Sequence, residues 1–215
     1  MPLLEQSGLY YPNRFARWFF LATTDVMGKH GLSAVLSLAG LESYTDNPPT
    51  DDMARQFDFA NIAALNQALE DMYGARGGRG MALRIGRASF TQGMRQFGAF
   101  SGMNAAAYRE LPLEKHIEIG LKALSVVFTR FTDQESILEE EDDAYLMRVE
   151  NSPMVWGRIT DKPACHMLVG LMQESLHWSS IGHEFHVQET SCRASGGDDC
   201  IFKINKKPIG LMLKR

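Results

Sequence analysis

Apolar residues recur with helical spacing through the first two-thirds of the chain. Phe15, Trp18, Phe19, Ala22 and Val26 fall at i, i+3, i+4, i+7 and i+11, which is one helical face, and Pro12 and Asn13 stand where such a helix begins. Gly28 and Gly31 interrupt it. A short apolar helix through Ala34, Val35, Leu38 and Ala39 follows, and the stretch from Thr45 to Asp52, with Pro48 and Pro49, reads as a loop. Helical spacing resumes near Asp58 with Ile62, Leu65, Leu69 and Met72 and stops at Gly74. Leu83, Ile85, Ala88 and Phe90 mark a further helical stretch. Ile117, Leu121, Leu124, Phe128 and Phe131 then stripe a long helix from Leu113 to Phe131. Ala123 and Val127 widen that stripe, so the helix is expected to be buried on more than one side.

After Phe131 the period changes. Ser136 to Glu139 and Ala144 to Glu150 read as two strands joined by an acidic turn, Glu140 to Asp143. Asp161 and Pro163 open a helix with the stripe Cys165, Leu168, Val169, Met172 and Leu176. Glu184 to Cys192 and Cys200 to Ile204 form a second strand pair around the turn 193–199. Several helices followed by strand–strand–helix–strand–strand predict an α+β fold: an antiparallel sheet of about four to five strands packed with helices, behind a helical N-terminal half. Residues 1–60 are read as an N-terminal helical extension and residues 61–210 as the main domain. The aromatic face of Phe15, Trp18 and Phe19 is a candidate surface for a homodimer, or else plain core.

Composition narrows the function. With 215 residues and a formal net charge of −4, nothing attracts nucleic acid. The N-terminal segment lacks a basic region followed by an apolar core, and no apolar run reaches the ~20 residues of a membrane span. A cytoplasmic location is expected. Twelve Met and twelve Phe fit an ordinary core or an apolar pocket. The segment Gly74-Ala75-Arg76-Gly77-Gly78-Arg79-Gly80 lacks the Lys-Ser/Thr pair of a phosphate loop and is read as a flexible connection between helices.

The chain's three cysteines, Cys165, Cys192 and Cys200, share its last quarter with Glu189. Three thiols and a carboxylate are four potential ligands for one tetrahedral ion, and zinc accepts this donor set in a closed, structural site. Three reduced thiols and a Cys192–Cys200 disulfide are the competing readings. One difficulty stands in the way. On a regular strand Glu189 and Cys192 face opposite sides, so a shared ion requires a bulge or a strand end between them. His166, His183 and His186 lie near enough to replace the carboxylate. A closed site has no open position for substrate, and no catalytic residue is assigned.

Pro163-Ala164-Cys165-His166, Gly170-Leu171, Val187 to Ala194 and Gly196 to Cys200, with Glu150-Asn151-Ser152-Pro153 and Trp156-Gly157, together resemble the 4-vinyl reductase domain family. That resemblance implies a fold shared with TRAPP subunits and haem-based nitric-oxide sensors. It also implies zinc held by Cys165, Glu189, Cys192 and Cys200, as in phenol-responsive relatives. A small hydrophobic ligand, whether aromatic, tetrapyrrole-like or lipid-like, would lie near the zinc. By position Tyr145, Met147, Val149, Trp156, Phe128, Phe185 and Val187 would line its pocket. The implied role is that of a carrier, sensor or accessory subunit in hydrocarbon binding or bacteriochlorophyll synthesis, working with a partner enzyme or effector. The alternatives are a vinyl reductase component, for which no redox-cofactor motif is present, and a TRAPP-like interaction module.

Overall fold

The computed structural model describes residues 4–211. Strand β1 (Tyr10–Pro12) leads into helix α1 (Asn13–Leu38), followed by the short α2 (Ser43–Asp46), strand β2 (Arg55–Asp58) and helix α3 (Phe59–Gln92). Two short helices, α4 (Gly98–Ser101) and α5 (Ala106–Arg109), connect to α6 (Leu113–Phe131). The C-terminal part is β3 (Ser136–Glu140), β4 (Ala144–Val149), α7 (His166–Ser179), β5 (His183–Ser191) and β6 (Cys200–Leu211). The architecture is the expected α+β one with a helical N-terminal half. Its main sheet is antiparallel and four-stranded in the order β3-β4-β6-β5, and β1 and β2 form a small separate pair.

Two of the expected helix breaks are backbone kinks. Gly28 and Gly74 sit at φ 75° and 69°, a region open to glycine at little cost, and each divides a long helix in two. The glycine-rich segment after Gly74 is helical, which corrects its reading as a flexible connection. The reason is close packing: a Cβ on Gly78 would lie 2.7 Å from the Glu70 backbone of the preceding helical half. The crossing of α3 with α7 uses the same device twice. A Cβ on Gly86 would fall 2.0 Å from the Met167 carbonyl oxygen, and one on Gly170 would fall 2.1 Å from that of Leu83. The reciprocal glycines bring the two backbones together and set the position of α7.

Facing residues of the sheet follow from register. Tyr145, Met147 and Val149 on β4 pair with Ile204, Phe202 and Cys200 on β6, and Val187 and Glu189 on β5 pair with Ile204 and Phe202. All of these are buried. The N-terminal segment belongs to the same hydrophobic core: Tyr11 of β1 packs edge-on against Phe59 (5.2 Å between ring centroids) and stacks on Phe128 (5.9 Å). Phe15 and Phe19, offered as a dimer surface, are buried in that core. No helix among the described residues is long and apolar enough to cross a membrane.

Candidate metal centre

Three segments converge on one buried point. Cys165 caps α7 rather than lying in its first turn, because the helix begins one residue later, at His166. The preceding loop is held from α3, where the buried Asn66 amide donates to the Ala164 carbonyl at 2.9 Å and to the Met154 carbonyl at 3.2 Å. Glu189 lies on β5, and the register of β5 against β6 slips between Glu189 and Ser191, with Glu189 opposite Phe202 and Ser191 opposite Ile201. This bulge removes the parity conflict, and Cys192, just past the strand, turns to the side of Glu189. Cys200 opens β6. The connecting turn has Gly196 at φ 94° and the Gly197 amide donating to the Cys192 carbonyl at 2.9 Å.

The ligating atoms of Cys165, Glu189, Cys192 and Cys200 all lie within 4.8 Å of one another, and all four residues are buried. The Cys165 and Cys200 sulfurs are 3.5 Å apart, and those of Cys200 and Cys192 are 4.0 Å apart. A disulfide needs about 2.05 Å, and all three cysteines are free thiols. Metal–sulfur bonds of about 2.3 Å in a tetrahedron put sulfurs about 3.8 Å apart, so the observed spacing is that of a tetrahedral edge. Glu189 is 8% exposed. Its Oε2 accepts the Cys165 N–H at 2.8 Å, while its Oε1 is buried with no hydrogen-bond partner. A buried carboxylate oxygen left without a donor is costly unless a cation faces it.

The protonation of the cluster points the same way. Burial, and then the sulfur of Cys192, push the Glu189 carboxyl up to about 8. Burial, followed by hydrogen bonding with the other two thiols, raises Cys165 well above its ordinary value. The thiols of Cys165 and Cys200 hold Cys192 below the ordinary thiol range. Of the histidines named as substitutes, His186 is exposed, His183 Nδ1 lies 2.7 Å from the Ser180 carbonyl, and the half-buried His166 is not among the converging donors of the described residues.

Two partners were not legible as such. Ser152 Oγ lies 3.2 Å from Cys165 Sγ, and the Arg193 N–H donates to Cys200 Sγ at 3.4 Å. Tyr145, Met147, Val149, Phe128, Phe185 and Val187 are core residues, and none lines either of two open depressions, of about 480 and 380 Å³. Trp156 stands apart from them, at the rim of the larger depression.

No protein-family profile matches the chain, and no curated protein does. Solved structures do. An H-NOX variant from Cs with 4-cyano-phenylalanine at its fifth position is 16% identical, with TM-score 0.56 over 92% of this chain and 98% of its own. A T. tengcongensis H-NOX variant gives 16% and 0.55 over 93% and 100%. The Fe(II) unliganded H-NOX protein of K. algicida gives 15% and 0.54 over 95% and 100%. The fold is that of the H-NOX proteins. At these identities the likeness shows fold alone.

This overturns the resemblance to 4-vinyl reductase domains, and with it the reading as a hydrocarbon carrier, vinyl reductase component or bacteriochlorophyll-synthesis protein. The spacing from Glu189 through Cys192 to Cys200 is what a bulge followed by a seven-residue turn requires of four converging donors, and it does not by itself carry a family. The assignment of zinc goes with it. It was read from the donor set and from that resemblance, but the H-NOX structures are described by haem and Fe(II), and three thiolates with a carboxylate suit several soft divalent ions.

Neither of the two depressions among the described residues fits a haem. Axial ligands are His, Cys, Met or Tyr, and neither depression is lined by any of these. The buried His116 stacks on Tyr108 at 4.6 Å, with Nε2 2.7 Å from the Tyr108 carbonyl. The Tyr11 hydroxyl is bound to Gln134, and the buried rings of Tyr11, Phe15, Phe59 and Phe128 pack against one another.

Proposed function

We propose that this chain is a metal-binding module on the H-NOX fold, in which Cys165, Glu189, Cys192 and Cys200 hold one soft divalent transition-metal ion. The observation that carries this reading is the convergence of four buried donors within 4.8 Å, one of them a carboxylate oxygen with no other partner. With all four positions taken by protein, the ion is structural. It ties the start of α7 to both ends of the β5–β6 turn and so fixes the C-terminal part of the sheet on the helices. Three reduced thiols fit a reducing compartment, which supports a cytoplasmic location.

Native mass spectrometry of the purified chain tests this directly. The expected mass is that of the chain plus one transition-metal ion, lost in Cys192→Ser. A chain that carries no metal, takes none up under reducing conditions and folds equally well in chelator would refute the reading.

A further inference from the structure

The larger depression, of about 480 Å³, lies beside the cluster and has no part in holding an ion. Its volume is within the range of small-molecule sites. The walls include two arginines with different commitments. Arg158 is committed at all three nitrogens: its side chain is 2% exposed, Nε donates to Gln67 at 2.9 Å, Nη1 to the Met154 carbonyl at 3.3 Å and Nη2 to Glu70 at 2.8 Å. Arg193 is not. Its guanidinium bonds to the Glu150 carbonyl at 2.6 Å and to Asn151 Oδ1 at 3.1 Å, and both bonds use Nη1. The Nε–Nη2 edge meets no acceptor among the described residues. That edge is the planar two-donor fork that pairs with a carboxylate.

The aromatic wall is Trp156, whose ring is fixed by donation from Nε1 to the Glu5 carbonyl at 3.2 Å. The Arg193 side chain is itself held in place, since its Nη1 is anchored on Glu150 and Asn151. Glu5 at the rim sets a limit on charge, because a second acidic group disfavours a dianion more than a monoanion. The geometry points to a binding site for a small aromatic monocarboxylate, with the carboxylate on the Nε–Nη2 edge of Arg193 and the ring against Trp156. This site does not depend on the metal reading.

Isothermal titration of the purified chain with benzoate, benzamide and inorganic phosphate tests it, with metal content measured on the same samples. Benzoate is expected to bind one per chain. Benzamide, which has the ring without the charge, should bind at least about tenfold more weakly, as should Arg193→Gln with benzoate, because each loses a charge-assisted hydrogen-bonded pair. Arg17→Gln, in the other depression, should leave benzoate binding unchanged. Absence of benzoate binding at millimolar concentration overturns the inference. So does equal binding by Arg193→Gln, or tighter binding of phosphate than of benzoate. Arginine-dependent benzoate binding by a chain that contains no ion would uphold the pocket while refuting the metal centre.

Discussion

Of the four donors, Glu189 changes most between a protonated and a metal-loaded cluster. Its carboxyl is pushed up to about 8 by burial and by the neighbouring Cys192 sulfur, so it binds a proton more readily than an ordinary carboxyl. An ion must displace that proton and those of the thiols, and metal binding releases protons wherever ligands must ionise. Apparent metal affinity should therefore rise from pH 6 to pH 8, with proton release measurable by titration in buffers of different ionisation enthalpy. Glu189→Gln should lower the affinity by at least about tenfold and release one proton fewer. An affinity that is flat with pH, or unchanged in the glutamine variant, would remove Glu189 from the site. At this scale the sequence displayed the donors but not their support. Three cysteines and a glutamate stand out by type and spacing, whereas Asn66, 98 residues from Ala164 in sequence, reaches its carbonyl only through the packing of α3. Arg193 and Ser152 are unremarkable residue types whose contacts with sulfur exist only in the fold.

At the scale of elements, the helix crossing behind the cluster is set by glycine. Gly86 and Gly170 let α3 and α7 touch backbone to backbone. Gly86→Ala should cost about 1–3 kcal/mol or more, because the added methyl meets the Met167 carbonyl and neither backbone can yield. Gly80 lies in the same helix with nothing within 4 Å of an added Cβ, so Gly80→Ala should stabilise by about 0.5–1 kcal/mol. Chemical denaturation of the two variants checks the contrast. Equal effects would mean that the crossing is looser than this geometry. Periodicity revealed the long helices, the two strand pairs and the breaks at Gly28 and Gly74, since each leaves a pattern many residues long. The small β1–β2 pair left none: Tyr10–Pro12 and Arg55–Asp58 are too short for alternation to register. The start of α7 was misplaced because Asp161 and Pro163 have the chemistry of a helix start, while the chain there is instead held as a loop by Asn66.

For the whole molecule, the likeness to H-NOX structures and the chain's own interior pull apart. The fold extends over nearly the full length of both, yet aromatic rings from β1, α1, α3 and α6 pack against one another in the core, and the convergent polar donors lie at the start of α7. A shared fold does not fix the site it carries. The α+β pattern was legible because layers follow from the order of elements. The family was not, since a bulged hairpin with two cysteines and a glutamate can arise wherever a chain closes four donors on one ion. X-ray absorption at the edge of whichever metal accompanies the purified chain separates the two possibilities most directly. The expected first shell is three sulfurs at about 2.3 Å and one oxygen at about 2.0–2.2 Å. A shell of nitrogens without sulfur, as a porphyrin would give, or no metal at all, would contradict the centre built by Cys165, Glu189, Cys192 and Cys200.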